Sequence, residues 1–153
     1  EFMKKYVWNA LTALGGSAIE VKDGYALFEL PLTEQCMNPT GVYHAGIIVT
    51  LADEAASAAA YGGPVSLDDI EVDAASGIGK KFPYSVQLSV NLLTNDPVGP
   101  IKAESKVVKR GRLTVVDTEV FSSKGELMCL MRSSHMMVDA SKVGPHLKNK
   151  AAP

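Results

Sequence analysis

A stretch of mostly hydrophobic and small residues runs from Ala45 to Ala60. Ala and Leu are strong helix formers, and no Pro or Gly follows Gly46 in this stretch, so the pattern predicts a helix from about His44 to Tyr61. Asn38-Pro39 is typical of a turn before the helix, and Gly62-Gly63-Pro64 predicts where it ends. Apolar residues cover most of the circumference of this helix, which is typical of a buried helix, so we expect a sheet to wrap around it.

Segments with a strand-like pattern lie on both sides of this helix. Two extended runs, Ala18–Val21 and Tyr25–Leu30, are separated by Asp23-Gly24, which is a two-residue hairpin signal. After the helix, apolar and polar residues alternate from Tyr84 to Leu92, which predicts a strand with Ser85 and Leu88 on opposite faces. Three further strands are predicted over residues 101–109, 112–122 and 126–138.

The remaining segments complete the predicted organisation. Lys4 to Leu14 carries apolar residues at helical spacing and predicts a short helix. Residues 65–82 are acidic and contain Gly, which is typical of a mobile loop or lid. Residues 139–153 form a polar tail that we expect to fray. The sequence thus predicts a single domain over residues 3–138.

The order of these elements predicts the fold class. Runs of strands around one apolar helix favour an α+β fold, with an antiparallel sheet curled over the helix. By topology this is a hotdog-like architecture, with a long central helix wrapped by a curved sheet. An edge strand of such a sheet is open, so we expect pairing with a second copy of the chain.

Composition narrows the classes of function. The chain has 153 residues and a formal net charge of −2, which gives no electrostatic argument for nucleic acid or for an anionic membrane as a partner. Cys36 and Cys129 lack metal-ligand spacing, so we expect no metal site and a reducing compartment. No apolar run is long enough to span a membrane and no signal peptide is visible, which predicts a cytoplasmic protein.

Polar side chains form one stripe on the predicted central helix. Helical spacing brings together Thr50, Asp53, Glu54, Ser57 and Tyr61. One interpretation is the solvated edge of an amphipathic helix. The other is a carboxylate held in apolar surroundings, where an unpaired charge is costly and is usually kept for a function.

With these residues in place, the chain resembles hotdog-fold acyl-CoA thioesterases, in the branch of the phenylacetyl-CoA thioesterases and the human medium-chain type. The resemblance covers roughly residues 24–138 and is carried by Asn38, His44, Gly46 and Asp53 in a turn-to-helix context. Ala45 departs from the pattern, because the family usually has the first of two glycines there. Ala45 keeps its backbone N–H but narrows the space around it.

The resemblance implies a role for each residue of this motif. Asp53 would act as general base or nucleophile, facing the oxyanion site of a partner subunit, while the N–H of Ala45 would bind the thioester carbonyl. The first residues of a helix carry unpaired N–H groups, so Ala45 and Gly46 suit an oxyanion. Asn38 would position the attacking water or the carbonyl, or would only close a turn before Pro39.

Two further residues belong to this predicted catalytic set. His44 would hold the first helical turn by hydrogen bonding, or would serve as a simple capping or packing residue. Ser85 matches a position where the family often has Ser or Thr near the substrate water, and its alternative role is that of a solvent-facing strand residue. By contrast, His135 and His146 lack a partner pattern, so we expect ordinary strand and tail residues there.

A second set of residues is predicted to bind substrate. Glu54 is the fallback carboxylate, and Ser57 lies on the same helical stripe. The phosphates of coenzyme A suit Lys and Arg side chains at the edge of a pocket. Lys109, Arg110 and Arg112 are candidates, although charge at a hairpin turn is also common in proteins with no such ligand.

The sequence leaves three functions open. The first is acyl-CoA hydrolysis by a homodimer or a dimer of dimers (a homotetramer), with the coenzyme A thioester as substrate and with no metal or organic cofactor. The second is a hotdog dehydratase or hydratase, which the nine-residue spacing of His44 and Asp53 fits poorly. The third is a non-catalytic acyl-CoA binding or sensing protein, which would keep the pocket and would not need Asp53.

Overall fold

The computed structural model describes residues 9–63 and 81–139. These residues form two α-helices, α1 (Asn9–Ala13) and α2 (Ala45–Tyr61), and six strands: β1 (Ser17–Lys22), β2 (Tyr25–Leu30), β3 (Lys81–Leu92), β4 (Ile101–Lys109), β5 (Leu113–Phe121) and β6 (Leu127–Asp139). A single 3-10 turn at Glu34–Cys36 lies between β2 and α2.

The strands form one antiparallel sheet in the order β1-β2-β4-β5-β6-β3. Helix α2 packs against strands from β2 to β3 across this sheet. The sheet curves around the helix, so the predicted α+β architecture of a central helix wrapped by an antiparallel sheet is confirmed. Strand β3 lies at one edge of the sheet and is hydrogen-bonded along one side, to β6.

The core lies between α2 and the sheet. Alternate residues of β2 are fully buried, as expected for a strand with one face on a core. The helix contributes mainly small side chains, which let its backbone lie close to the sheet. The buried residues of α2 are Ile48, Leu51, Ala52, Ala55, Ala56, Ser57, Ala58, Ala59 and Ala60.

Most predicted element bounds agree with the structure to within one or two residues. The central helix begins at Ala45, with His44 as its N-cap, and Gly62 ends it in the left-handed conformation at φ 86°. The first helix is described only from Asn9 onward, and most of the predicted loop and of the predicted tail lies outside the described residues. Strand β3 begins at Lys81, so the prediction that the loop extends to residue 82 is wrong.

A β-bulge in β3 changes which side chains face the helix. Ser85 pairs with His135 and Gln87 pairs with Ser134, so Val86 is the extra residue. Residues directly opposite each other in a sheet share a face, and His135 lies on the buried face. Ser85 therefore lies on the same face as Leu88, and the prediction from strict alternation that placed them on opposite faces is wrong.

Candidate active site

At the N-terminus of α2, one backbone donor lacks an acceptor in the described part of the chain. The ring Nδ1 of His44 accepts the N–H of Gly46 at 2.9 Å, and the carbonyl of His44 accepts the N–H groups of Ile47 and Ile48 at 3.0 and 3.1 Å. The N–H of Ala45 has no acceptor among the described residues. Because Ala45 is exposed at this end of the helix, its N–H is available to an oxygen atom that arrives from solvent.

Gly46 leaves room for the His44 ring. A Cβ at position 46 would come within 3.2 Å of Nδ1 and Cε1 of that ring. The His44 side chain therefore caps the helix, which is the capping role predicted for it as an alternative. This cap satisfies the second N–H of the helix without covering the first.

Asn38 organises the turn before the helix. Its Oδ1 accepts the backbone N–H of Thr40 at 2.9 Å, the hydroxyl of Thr40 at 2.7 Å and the N–H of Val42 at 3.4 Å. This arrangement is an Asx turn, which Asn favours. The side chain thus fills the turn-forming role in this structure, while its predicted contact with water or substrate stays a prediction.

Asp53 and Ser85 meet between the helix and the edge strand. The hydroxyl of Ser85 donates to Oδ1 of Asp53 at 2.6 Å. The bulge in β3 makes this contact possible, because it turns Ser85 toward the helix. The structure thus brings together two residues of the predicted catalytic set that are 32 positions apart in the sequence.

His135 extends this contact into a chain of hydrogen bonds. Its Nδ1 lies 3.4 Å from the hydroxyl of Ser85, and its Nε2 lies 2.7 Å from the hydroxyl of Ser133. Burial lowers the pKa of His135, although the charge of Asp53 acts in the opposite direction. Since Ser85 gives its only proton to Asp53, we infer that a neutral His135 carries its proton on Nδ1 and accepts from Ser133 at Nε2.

The prediction that His135 is an ordinary strand residue missed this chain. Alternation in β6 places Ser133 and His135 on the same face as the buried Cys129 and Met131. A polar pair on a buried face was the available signal, because such residues are generally hydrogen-bonded to a partner. The partner itself lies on β3 and follows from the bulge, which strict alternation does not predict.

Glu54 stands beside Asp53 in a less polar environment. Its Oε2 is buried and has no hydrogen-bond partner among the described residues. Burial and, to a lesser degree, the charge of Asp53 raise the pKa of Glu54 to about 7. Glu54 is therefore partly neutral near pH 7. Ser57, the other predicted substrate contact on the helix, is 6% exposed.

The predicted basic cluster lies near the opposite end of α2. Arg110 donates to the carbonyl of Ala60 at 3.0 Å and also pairs with Asp23. The N–H of Gly24 donates to the carbonyl of Ala59. Arg110 thus caps the C-terminus of the helix, about 22 Å along its axis from Ala45. Lys109 and Arg112 are exposed and, within the described part of the chain, form no ion pair.

Replacing Arg110 with Met should lower the free energy of unfolding by about 1–2 kcal/mol, because the last carbonyls of α2 lose a charged donor while the apolar stem is kept. Urea denaturation followed by circular dichroism measures this change. Arg112→Met is the matched control and should change stability little. A rise in KM for a coenzyme A ester without loss of stability would instead support the predicted coenzyme A contact.

Two further features are absent from the described part of the chain. In residues 9–63 and 81–139, no group of three His, Cys, Asp or Glu side chains is placed to hold a metal ion. No helix in the same residues is long and apolar enough to cross a membrane. The expectations of a cofactor-free and cytoplasmic protein stay predictions.

The fold and these residues define a class of protein: an α+β hotdog domain with a backbone N–H that no described residue accepts at the start of its central helix, and a hydrogen-bonded carboxylate farther along it. Comparison with known proteins agrees with this class. The sequence pattern of the thioesterase superfamily matches residues 40–129, which is more than half of the chain. The chain therefore belongs to the thioesterase superfamily.

The individual relatives have low sequence identity to this chain. The chain is 26% identical over 120 residues to a 1,4-dihydroxy-2-naphthoyl-CoA hydrolase of Listeria monocytogenes, which covers 78% of this chain and 87% of that protein. Among solved structures, a mutant thioesterase of Staphylococcus aureus aligns with a TM-score of 0.70 at 21% identity, over 84% of this chain and 98% of that one.

A second solved structure supports the same fold. The PaaI protein of E. coli, from the phenylacetic acid degradation operon, aligns with a TM-score of 0.68 at 20% identity, over 85% of this chain and 84% of that one. Likeness at this level of identity shows the hotdog fold. Thioester hydrolysis as the general activity follows from the family.

Proposed function

We propose that this protein hydrolyses acyl-CoA thioesters to a free acid and coenzyme A. The observation that carries the proposal is the N–H of Ala45 at the exposed N-terminus of α2, which has no acceptor in residues 9–63 and 81–139. The helix dipole and this N–H both favour negative charge at that position. A thioester carbonyl bound there would be stabilised as its oxygen becomes an oxyanion under attack.

In the proposed reaction, Asp53 supplies the base or the nucleophile. As base, its carboxylate takes a proton from a water molecule while the water oxygen forms a bond to the carbonyl carbon. The tetrahedral intermediate then collapses, the carbon–sulfur bond breaks, and the thiolate of coenzyme A leaves and takes up a proton. As nucleophile, Asp53 would first form an anhydride, which water then hydrolyses. The hydroxyl of Ser85 orients Asp53 in either case.

The distance along the helix supports a site shared between two copies. Asp53 lies about 12 Å along the axis of α2 from Ala45. A general base contacts its proton directly or through one water, so the two groups of one protomer are poorly placed to act on one carbonyl. We propose that Asp53 of one protomer acts on a thioester held by the Ala45 N–H of a second copy.

The edge of the sheet supplies a surface for this second copy. Strand β3 is 12 residues long and carries Ser85, which contacts Asp53. The hydrophobic side chains of Val86, Leu88 and Leu92 are exposed along it, at 53%, 39% and 47%. Pairing of β3 with a second β3 would satisfy the open edge and bring the copies together beside Asp53. A homodimer is the smallest assembly with such a site and would contain two of them, and a dimer of dimers would contain four.

Ala45→Pro tests the proposed oxyanion donor directly. Pro is well tolerated at the first position of a helix and removes only an N–H that has no partner inside the helix. His44 has φ −62° and ψ 134°, which is compatible with a following Pro. We expect kcat to fall by about 10²- to 10³-fold, measured as thiol release from coenzyme A esters.

Ala45→Gly is the matched control, because it keeps the N–H and should keep kcat within about tenfold of the wild type. The panel includes short, medium, long and aromatic acyl groups, with a naphthoyl ester among them because of the Listeria relative. The ester that the wild type hydrolyses fastest identifies the preferred acyl group. Tight binding of the esters with no thiol release would contradict the proposal and favour the non-catalytic binding protein.

A further inference from the structure

The segment before α2 is held by the loop between β3 and β4. The side chain of Asn95 binds both peptide groups of Tyr43: its Oδ1 accepts the Tyr43 N–H at 3.1 Å, and its Nδ2 donates to the Tyr43 carbonyl at 2.8 Å. The same Oδ1 accepts the N–H of Asp96 at 2.8 Å. A side-chain amide thus takes the place that a neighbouring strand would fill.

The side chain of Tyr43 is also fixed at its far end. Its hydroxyl donates to the carbonyl of Leu30 at 2.7 Å, and the residue is fully buried. Gly99 packs against this hydroxyl so closely that a Cβ at position 99 would lie 2.4 Å from it. The β3–β4 loop therefore contacts Tyr43 at its backbone through Asn95 and at its phenol through Gly99.

Asp96 fixes the conformation of the β3–β4 loop by hydrogen bonding. Its carboxylate accepts the N–H groups of Val98 and Gly99 at 2.7 and 3.0 Å, and that of Ser123 in the turn between β5 and β6. Burial would raise the pKa of Asp96, but these hydrogen bonds outweigh it and hold the pKa well below its usual range. The Asp96 carboxylate is therefore charged at neutral pH, and it accepts hydrogen bonds from three backbone N–H groups.

Tyr43 directly precedes the N-cap His44, whose own N–H donates to the carbonyl of Cys36 at 2.7 Å. The N–H of Ala45 lies one peptide farther along, so its direction depends on how the Tyr43–His44 peptide is held. We propose that Asn95 is a positioning residue for catalysis, because its carboxamide fixes both peptide groups of Tyr43 and thereby aims the N–H of Ala45. This inference rests on the proposed hydrolysis at that N–H. It adds a residue from a separate loop, which is 50 positions away from Ala45 in the sequence.

Asn95→Asp is the sharpest test. The new side chain has the same shape and keeps an acceptor for the Tyr43 N–H, but it places an oxygen against the Tyr43 carbonyl where a donor stood. We expect kcat for the preferred coenzyme A ester to fall about tenfold or more, with KM within about twofold, because a small misplacement of a reacting group costs rate more than binding. Hydrogen exchange of the amides at residues 43–48 should become faster.

Thr118→Val is the matched control for lost stability. It removes a buried hydrogen bond of 2.7 Å to Ser105 and should leave both kcat and exchange at residues 43–48 unchanged. The inference is overturned if Asn95→Asp keeps the wild-type kcat, or if kcat falls while exchange at residues 43–48 stays the same. A wild type that hydrolyses no ester would overturn the proposed function and this inference together. The two failures can be told apart, because a failure of the inference alone leaves the wild type active.

Discussion

An Asp53→Asn protein is expected to lose about 10²- to 10⁴-fold in kcat for thioester hydrolysis, with fold and assembly intact. The amide keeps the size of the carboxylate and can still contact the hydroxyl of Ser85, but it can neither accept a proton from water nor attack a carbonyl. Thiol release at saturating coenzyme A ester measures kcat. Circular dichroism and sedimentation check that the fold and the mass of the assembly are unchanged.

Glu54→Gln is the matched control, since Glu54 is the neighbouring carboxyl on the same helix. Its buried Oε2 lacks a partner in the described part of the chain, and its pKa is raised to about 7. Asp53 is the carboxylate that the hydroxyl of Ser85 contacts, whereas the buried Oε2 of Glu54 has no donor to orient it among the described residues. We therefore expect Glu54→Gln to stay within about tenfold of the wild type. The reverse order of effects would assign the base to Glu54.

The central helix and its first turn could be predicted from the sequence because their signals are local. The Ala-rich run, the glycines after Tyr61 and the Asn38-Pro39 turn act within a few residues of the structure they specify. His44 follows the same rule, since its ring reaches only two residues along the chain to the N–H of Gly46. These residues also carry the resemblance to the family, so the fold and the candidate motif were predicted together.

The contacts that complete the site are not local. Ser85 reaches Asp53 only because an extra residue at Val86 shifts the register against β6. One slipped residue turns every side chain beyond it to the other face, and the alternation of Tyr84 to Leu92 contains no sign of it. Asn95 is similar, because in sequence it is one more polar residue of a turn. Its role depends on the fold bringing Tyr43 to it.

The contacts of Arg110 could not be predicted from the sequence either. A basic hairpin turn in a chain that resembles coenzyme A enzymes favours a phosphate contact, and the sequence contains nothing against it. In the structure, the guanidinium is occupied by Asp23 and by the last carbonyls of α2. The orphan carbonyls of a helix end need donors, and which side chain supplies them depends on strand pairing far from the helix in sequence.

Mixing two inactive proteins is expected to restore activity if the site is shared between copies. Asp53→Asn lacks the carboxylate and Ala45→Pro lacks the oxyanion donor, so each homodimer has two defective sites. A mixed dimer contains one defective site with both changes and one site in which Asp53 and the Ala45 N–H are both intact. With random exchange, half of the dimers are mixed, so about a quarter of the wild-type activity should return.

The experiment dissociates and reassociates the two proteins together, and measures thiol release before and after. Each protein treated alone is the control and should stay inactive. If the site is formed within one protomer, activity should not return, because each protomer of the mixed dimer still lacks one of the two groups. Leu92→Lys in both proteins adds a charge to the exposed edge of β3 and should prevent recovery by blocking the mixed dimer. Recovery that survives this charge would place the shared interface elsewhere than on β3.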